Sequence, residues 1–445
     1  MSTISRRSFV TGGASLAAGL AASVGVLTRA GSALAGSALA GSDGETVYSN
    51  ARILLGTMPS EGATELRGGL RIVNGVIAEI GPGVTGGIDL GGATIWPGIW
   101  DAGSAIGLAD IDLEGATRDD AETGDAFLPQ MRVVDAFNPA SEVLPVLRAR
   151  GVMGALVVPS GGIVGGQAAW MRTSGSTVAA ATVQEPAGVV IHLGRGGVGA
   201  GTATRMGVAA RLRDALDANP PPKAPGEDEA PATGKKATSA KHKAPEAPAK
   251  PPTRSERVWH DLRSRKLRAI FEADRASDVL LACAIAAEYD LDAVIVGAAE
   301  GWMVADALKS ANIPVIVGPV TVQPESFETM NARYDNAALL HAAGVRIGLR
   351  IGDPHRAYDL TTEAGIAVAW GLPREAAIAA ISGSSPGFFG LSAGRLLVGQ
   401  EASFVVCNGD PLEPRTSVQR VIVGGSEVPL ANHPTELYER FQVLK

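Results

Sequence analysis

The feature that most limits the fold of this chain lies between residues 96 and 388. There, short β-branched apolar runs alternate with helix-like stretches. "GVMGALVVPSGG", "GVVIHLG", "KLRAIFEAD", "LDAVIVGAAEG", "NIPVIVGPV" and "GVRIGLRIGD" have the length and composition of buried strands. "SEVLPVLRAR", "ASDVLLACAIAAEY", "GWMVADALKSA" and "PREAAIAAI" fall among them with helical character. Alternation of this kind builds a parallel α/β unit, because each parallel strand needs a crossover to reach the next. The number of runs favours a closed (β/α)8 TIM-like barrel over an open sheet, and places any chemistry just past the strand C-terminal ends.

The flanks follow another pattern. "TVYSNARILLG", "GGLRIVNGVIAEIG" and "GIDLGGATIWPG" in residues 41–95 are strands broken by glycine turns, and Asn74-Gly75 predicts a tight hairpin. "EASFVVCNGDP" and "SVQRVIVGGSEV" in residues 389–445 return to that pattern, so both chain ends are expected to build one composite β-sandwich. Residues 218–254 are rich in Pro, Ala and Lys without apolar periodicity, and predict a disordered insert within the barrel that carries His242 away from any site.

At the N-terminus, Arg6-Arg7 precede a weakly apolar Gly/Ala-rich stretch ending in Ala33-Leu34-Ala35 and Ala38-Leu39-Ala40. This is the layout of a twin-arginine signal peptide over residues 1–40, cleaved after Ala35 or Ala40, and predicts a periplasmic or secreted protein. No other segment is long and apolar enough to span a membrane, so no span is expected in the mature chain. A net charge of −7 without a basic stripe argues against nucleic acid as a partner. Cys283 and Cys407 sit in apolar runs and read as buried free thiols, with a disulfide still open.

Three blocks resemble the amidohydrolase superfamily, particularly its exported imidazolonepropionase-like members. "ATIWPGIWDAGSAIGL" looks like the strand that leads into a His-x-His pair. "DLDAVIVGAAEGWMVADALKSANIPVIVGPV" is similar to a mid-barrel unit. The run from Gly371 to Gly425 is similar to the C-terminal helix, Gly-x-Leu-x-x-Gly-x-x-Ala and closing strand. The resemblance implies a barrel beside a β-sandwich, and one or two divalent metals that activate water for hydrolysis of carbon–nitrogen bonds. The positions that match the family's ligands are Gly103, Ala105, Glu272, Ala299 and Asp353. Every imidazole is replaced, so no metal cofactor is expected unless zinc occupies an unrecognised site.

Candidate catalytic groups are therefore Asp353, Glu272 and His192, each beside an apolar run. Glu272 can serve as acid or base, or pair with Arg275 or a neighbouring arginine in place of the metal's charge. Asp353 can orient His355 for general-base work, against a plain Asp-Pro turn. Residues 159–171, "PSGGIVGGQAAWM", read as a Gly-rich loop that offers Ser160 and Gln167, with His355, as binding groups. Three classes stay open: a metal-independent or residual hydrolase, a non-catalytic ligand-binding homologue or partner subunit of an active amidohydrolase, and a metal hydrolase with a rebuilt site.

Overall fold

The computed structural model describes residues 44–199, 201–221, 251–324 and 326–442. The signal-like segment and most of the Pro/Ala/Lys-rich insert, with His242, lie outside the described residues. The chain opens with β1 (Glu45–Leu54), β2 (Glu65–Val73), β3 (Val76–Gly81), β4 (Ile88–Asp89) and β5 (Thr94–Trp96). Between β2 and β3, Asn74 and Gly75 both take positive φ, 50° and 76°. This is the mirror-image turn that the Asn-Gly pair predicts, since its twist matches that of the flanking strands.

The barrel then begins. Its elements are β6 (Ile99–Ser104), α1 (Val143–Ala149), β7 (Val152–Val157), β8 (Val164–Arg172), α2 (Val178–Ala181), β9 (Thr182–His192), α3 (Arg205–Ala218) and α4 (Arg254–Arg263). They continue with β10 (Arg268–Ala273), α5 (Ala276–Glu288), β11 (Ala293–Gly297), α6 (Ala305–Ala311), β12 (Val315–Val317), α7 (Asn336–Ala342) and β13 (Ile347–Leu349). After α8 (Leu360–Ala369), α9 (Arg374–Ile381) and α10 (Ser384–Phe388), the chain returns to the first sheet through β14 (Phe404–Cys407), β15 (Val418–Val423) and β16 (Ser426–Val428). It closes with α11 (His433–Gln442).

Two eight-stranded sheets result. One runs β16-β15-β14-β5-β1-β2-β3 with β4 on β1, so both chain ends share it. Its seam is the antiparallel pairing of β14 with β5, Val406 opposite Ile95. The other runs from β6 in order to β13 and is the nearly closed barrel. All of β7 and β11 is buried, as strands covered on both faces must be. Arg172 on β8 reaches Glu401 of the composite sheet, Nη2 to Oε2 at 2.8 Å, and ties the two layers together.

One stretch departs from the expected pattern. Residues 159–171 are not a loop throughout: β8 starts at Val164 and runs antiparallel to both β7 and β9. The Gly-rich composition suggested a loop, yet the small residues are there for room. A Cβ on Gly165 would come within 2.9 Å of His192 Cε1. Both cysteines are free, with Cys407 buried and Cys283 partly so. No helix among the described residues is long and apolar enough to cross a membrane.

Candidate functional site

The C-terminal ends of the barrel strands gather a set of polar side chains that apolar runs alone would not supply. His192 closes β9, and the β9–β10 register sets it directly beside Glu272. The imidazole is nearly enclosed, with its side chain only 5% exposed. Nε2 lies 3.3 Å from Glu272 Oε2 without the alignment of a hydrogen bond, and neither ring nitrogen has a hydrogen-bond partner. An enclosed imidazole with two unsatisfied nitrogens is unusual, because buried polar atoms are costly to leave unpaired.

Across the mouth, Arg350 follows β13 and turns inward. Its Nη1 donates to the carbonyl of Gly103 at 3.1 Å and to Glu272 Oε1 at 3.3 Å. The partner that balances Glu272 is thus Arg350 rather than Arg275. Beneath them, Asp101 on β6 is fully buried. Its Oδ1 accepts from the backbone N–H groups of Ala102 and Ile351, and its Oδ2 has no hydrogen-bond partner. Burial raises the Asp101 carboxyl above its usual range, against the pull of those backbone donors and of Arg350. Asp274, just past β10, is pushed up to about 6 by burial, with the Arg350 charge opposing. Beside it a cavity of ≈ 80 Å³ opens between Asp274, Ala299, Tyr334, Asn336 and Arg350.

The other candidates engage different partners. Asp353 Oδ1 accepts the backbone N–H of His355 at 2.8 Å, the plain Asp-Pro turn, and its own distance to His355 Nδ1 is 3.9 Å. His355 faces the acidic loop, with Nε2 2.9 Å from the Asp110 carbonyl and Nδ1 3.4 Å from Asp112 Oδ2. Ser160 donates to the Asp120 carbonyl at 3.1 Å, which fixes two loops together. Gln167 donates from Nε2 to Pro129 at 2.9 Å and lines a groove with Arg132 and Arg254 rather than the mouth. Of the predicted residues, the fold brings His192 and Glu272 together. Asp101, Asp274 and Arg350 were missed. The "EAD" spacing of Glu272 and Asp274 and the lone arginine in "IGLRIGD" were the available signals.

The residues present do not fit the divalent metal that the resemblance implies. Gly103, Ala105 and Ala299 offer no side-chain donor, and Arg350 already engages Glu272. Among the described residues, no group of three or more His, Cys, Asp or Glu side chains gathers to hold an ion.

No family model matches the chain, and no curated protein does. Solved structures do. An amidohydrolase from Thermotoga maritima MSB8 is 26% identical, with a TM-score of 0.74 over 87% of this chain and 100% of its own. A prolidase solved with N-methylphosphonate-L-proline is 16% identical, with a TM-score of 0.53 over 86% of this chain and 99% of its own, and shares the fold. A nearly closed barrel beside a sheet built by both chain ends, matched over the whole length of the Thermotoga maritima amidohydrolase, gives this chain the fold of amidohydrolase-superfamily proteins.

Proposed function

We propose that this chain is an exported superfamily member whose barrel mouth binds a small polar ligand without metal-assisted hydrolysis. One observation carries the binding: the nearly enclosed His192 has two unpartnered ring nitrogens, and the Glu272 beside it is still partly open to solvent. A ligand that both donates and accepts hydrogen bonds would satisfy the imidazole and the carboxylate together. Export is supported by the Arg6-Arg7 segment and its two small-residue cleavage patterns. N-terminal sequencing of the periplasmic protein tests it.

A second reading, hydrolysis of a carbon–nitrogen bond, is favoured by the 3.3 Å approach of His192 Nε2 to Glu272 Oε2. The imidazole there can take a proton from water as it attacks a carbonyl, with the carboxylate stabilising the imidazolium formed, and return that proton to the leaving nitrogen as the C–N bond breaks. The kinship with an amidohydrolase supports that reaction class in general terms.

One experiment separates the two. The native protein, purified without affinity metal, is heated to release bound small molecules for mass spectrometry, then assayed against amides and cyclic amides beside a His192→Ala variant. A co-purifying molecule, or a thermal shift without turnover, lost in the variant, supports binding. Turnover lost in the variant supports hydrolysis. Neither effect in the native protein defeats both.

A further inference from the structure

We infer that Arg350 is the built-in cation of this barrel, its guanidinium holding the space and the charge that a metal and its first imidazole ligand would otherwise require. The inference holds whichever use the mouth serves.

Position 103 decides the matter sterically. Gly103 has φ of +91°, where a side chain is strained. A Cβ built on it falls 2.6 Å from Arg350 Nη1 and 3.2 Å from Val296 Cγ1. No imidazole can stand there while Arg350 keeps its place. The guanidinium in turn depends on the missing side chain, because its Nη1 occupies that space and donates to the carbonyl of that same glycine. Glycine and arginine therefore form one arrangement, in which the absence of a side chain on the first barrel strand admits a cation from just past the last, across the seam.

Charge favours the same arrangement independently of sterics. Glu272 pairs with Nη1, while Asp101 and Asp274 lie near enough for the Arg350 charge to act on both. A barrel mouth with these carboxyl groups needs a positive charge, since an uncompensated buried anion is strongly destabilising. Arginine suits the task because it stays protonated and its planar fork can serve several acceptors at once. In this view the barrel is complete without a divalent ion.

The test is elemental analysis of the full-length native protein, followed by thermal melts of three variants. Arg350→Met keeps the side-chain stem and removes the charge, Arg350→Lys keeps the charge, and Arg350→Met with Glu272→Gln removes both partners. The expected results are less than a tenth of an equivalent of zinc, manganese or iron, and a melting temperature lower by about 5 °C or more in Arg350→Met. Arg350→Lys should fall by less than half as much, and the double variant should regain at least half of the loss. Should Arg350→Met not fold, recovery of soluble protein on adding Glu272→Gln reads the same coupling. Near-stoichiometric metal in the native protein overturns the inference. So does equal behaviour of Arg350→Met and Arg350→Lys with no recovery in the double variant, since Arg350 would then act by packing alone.

Discussion

Asp101 and Ile351 stand 250 residues apart in sequence and are joined by a hydrogen bond, the Ile351 N–H donating to Asp101 Oδ1 at 3.0 Å. They mark the seam of the barrel, where β6 and β13 are the two ends of the strand order and do not pair with each other. A sheet edge leaves backbone groups unpaired. Here a carboxylate from the first strand and Arg350 from the last supply the links that a ladder would have made.

Replacing Asp101 should therefore open the seam in proportion to the acceptor lost. Asp101→Ala leaves the buried Ile351 N–H without its partner and should cost about 2–4 kcal/mol. Asp101→Asn keeps an acceptor and should cost less than about half of that. Urea unfolding of the two variants checks the order. Equal losses would mean that Asp101 acts through its charge rather than as an acceptor.

Much of this fold was legible in the sequence because parallel strands buried on both faces must be short, apolar and separated by crossovers. Asn74-Gly75 likewise announced its turn, because few residue pairs accept two positive φ values. β8 was hidden for a physical reason: its glycines make room for His192 and Met131 rather than bend the chain, and composition does not tell space from flexibility. His192 and Glu272 could be named because each ends an apolar run. Their partner Arg350 could not, since its role arises only when the last strand closes against the first.

The Arg172–Glu401 bridge between barrel and composite sheet should make stability sensitive to acid. Burial raises the Glu401 carboxyl, but the hydrogen bonds and charge of Arg172, with help from Ser403, outweigh it and hold the group below its ordinary value of 4.5. The folded state thus binds the proton less readily than the unfolded chain. Its stabilisation is present above about pH 4.5 and is lost as pH falls through the lower folded value. Glu401→Gln should melt lower than the native protein at neutral pH, with a gap that narrows on acidification. A constant gap would assign the effect to packing.

His192 should prove dispensable for folding. Neither ring nitrogen has a hydrogen-bond partner, so His192→Phe keeps the ring's bulk and removes two unsatisfied polar atoms. Such a change is near neutral or stabilising, within about 1 kcal/mol, where a buried partner is not left behind. The melting temperature should hold or rise while ligand binding or turnover disappears. A marked loss of stability would show that the imidazole is part of the scaffold.

Cys407 should resist alkylation in the folded protein. It ends β14 inside the composite sheet, and its Sγ contacts the Gly409 carbonyl at 3.2 Å. Burial, aided by Asp410 and opposed by contacts that include Arg52, lifts its thiol from 9.0 to about 11. At pH 9 only about 1% would be thiolate in the folded protein, so iodoacetamide should label Cys407 slowly until denaturant is added. The same shift sets a sign for stability. Between about pH 9 and 11 the unfolded chain releases a proton that the folded state retains, so stability falls as pH rises through that window. Cys407→Val removes the titrating group and should flatten this part of the alkaline profile. Rapid labelling of Cys407 in the native protein would show that β14 opens readily, and that the sheet shared by the two chain ends is a weakly held part of the fold.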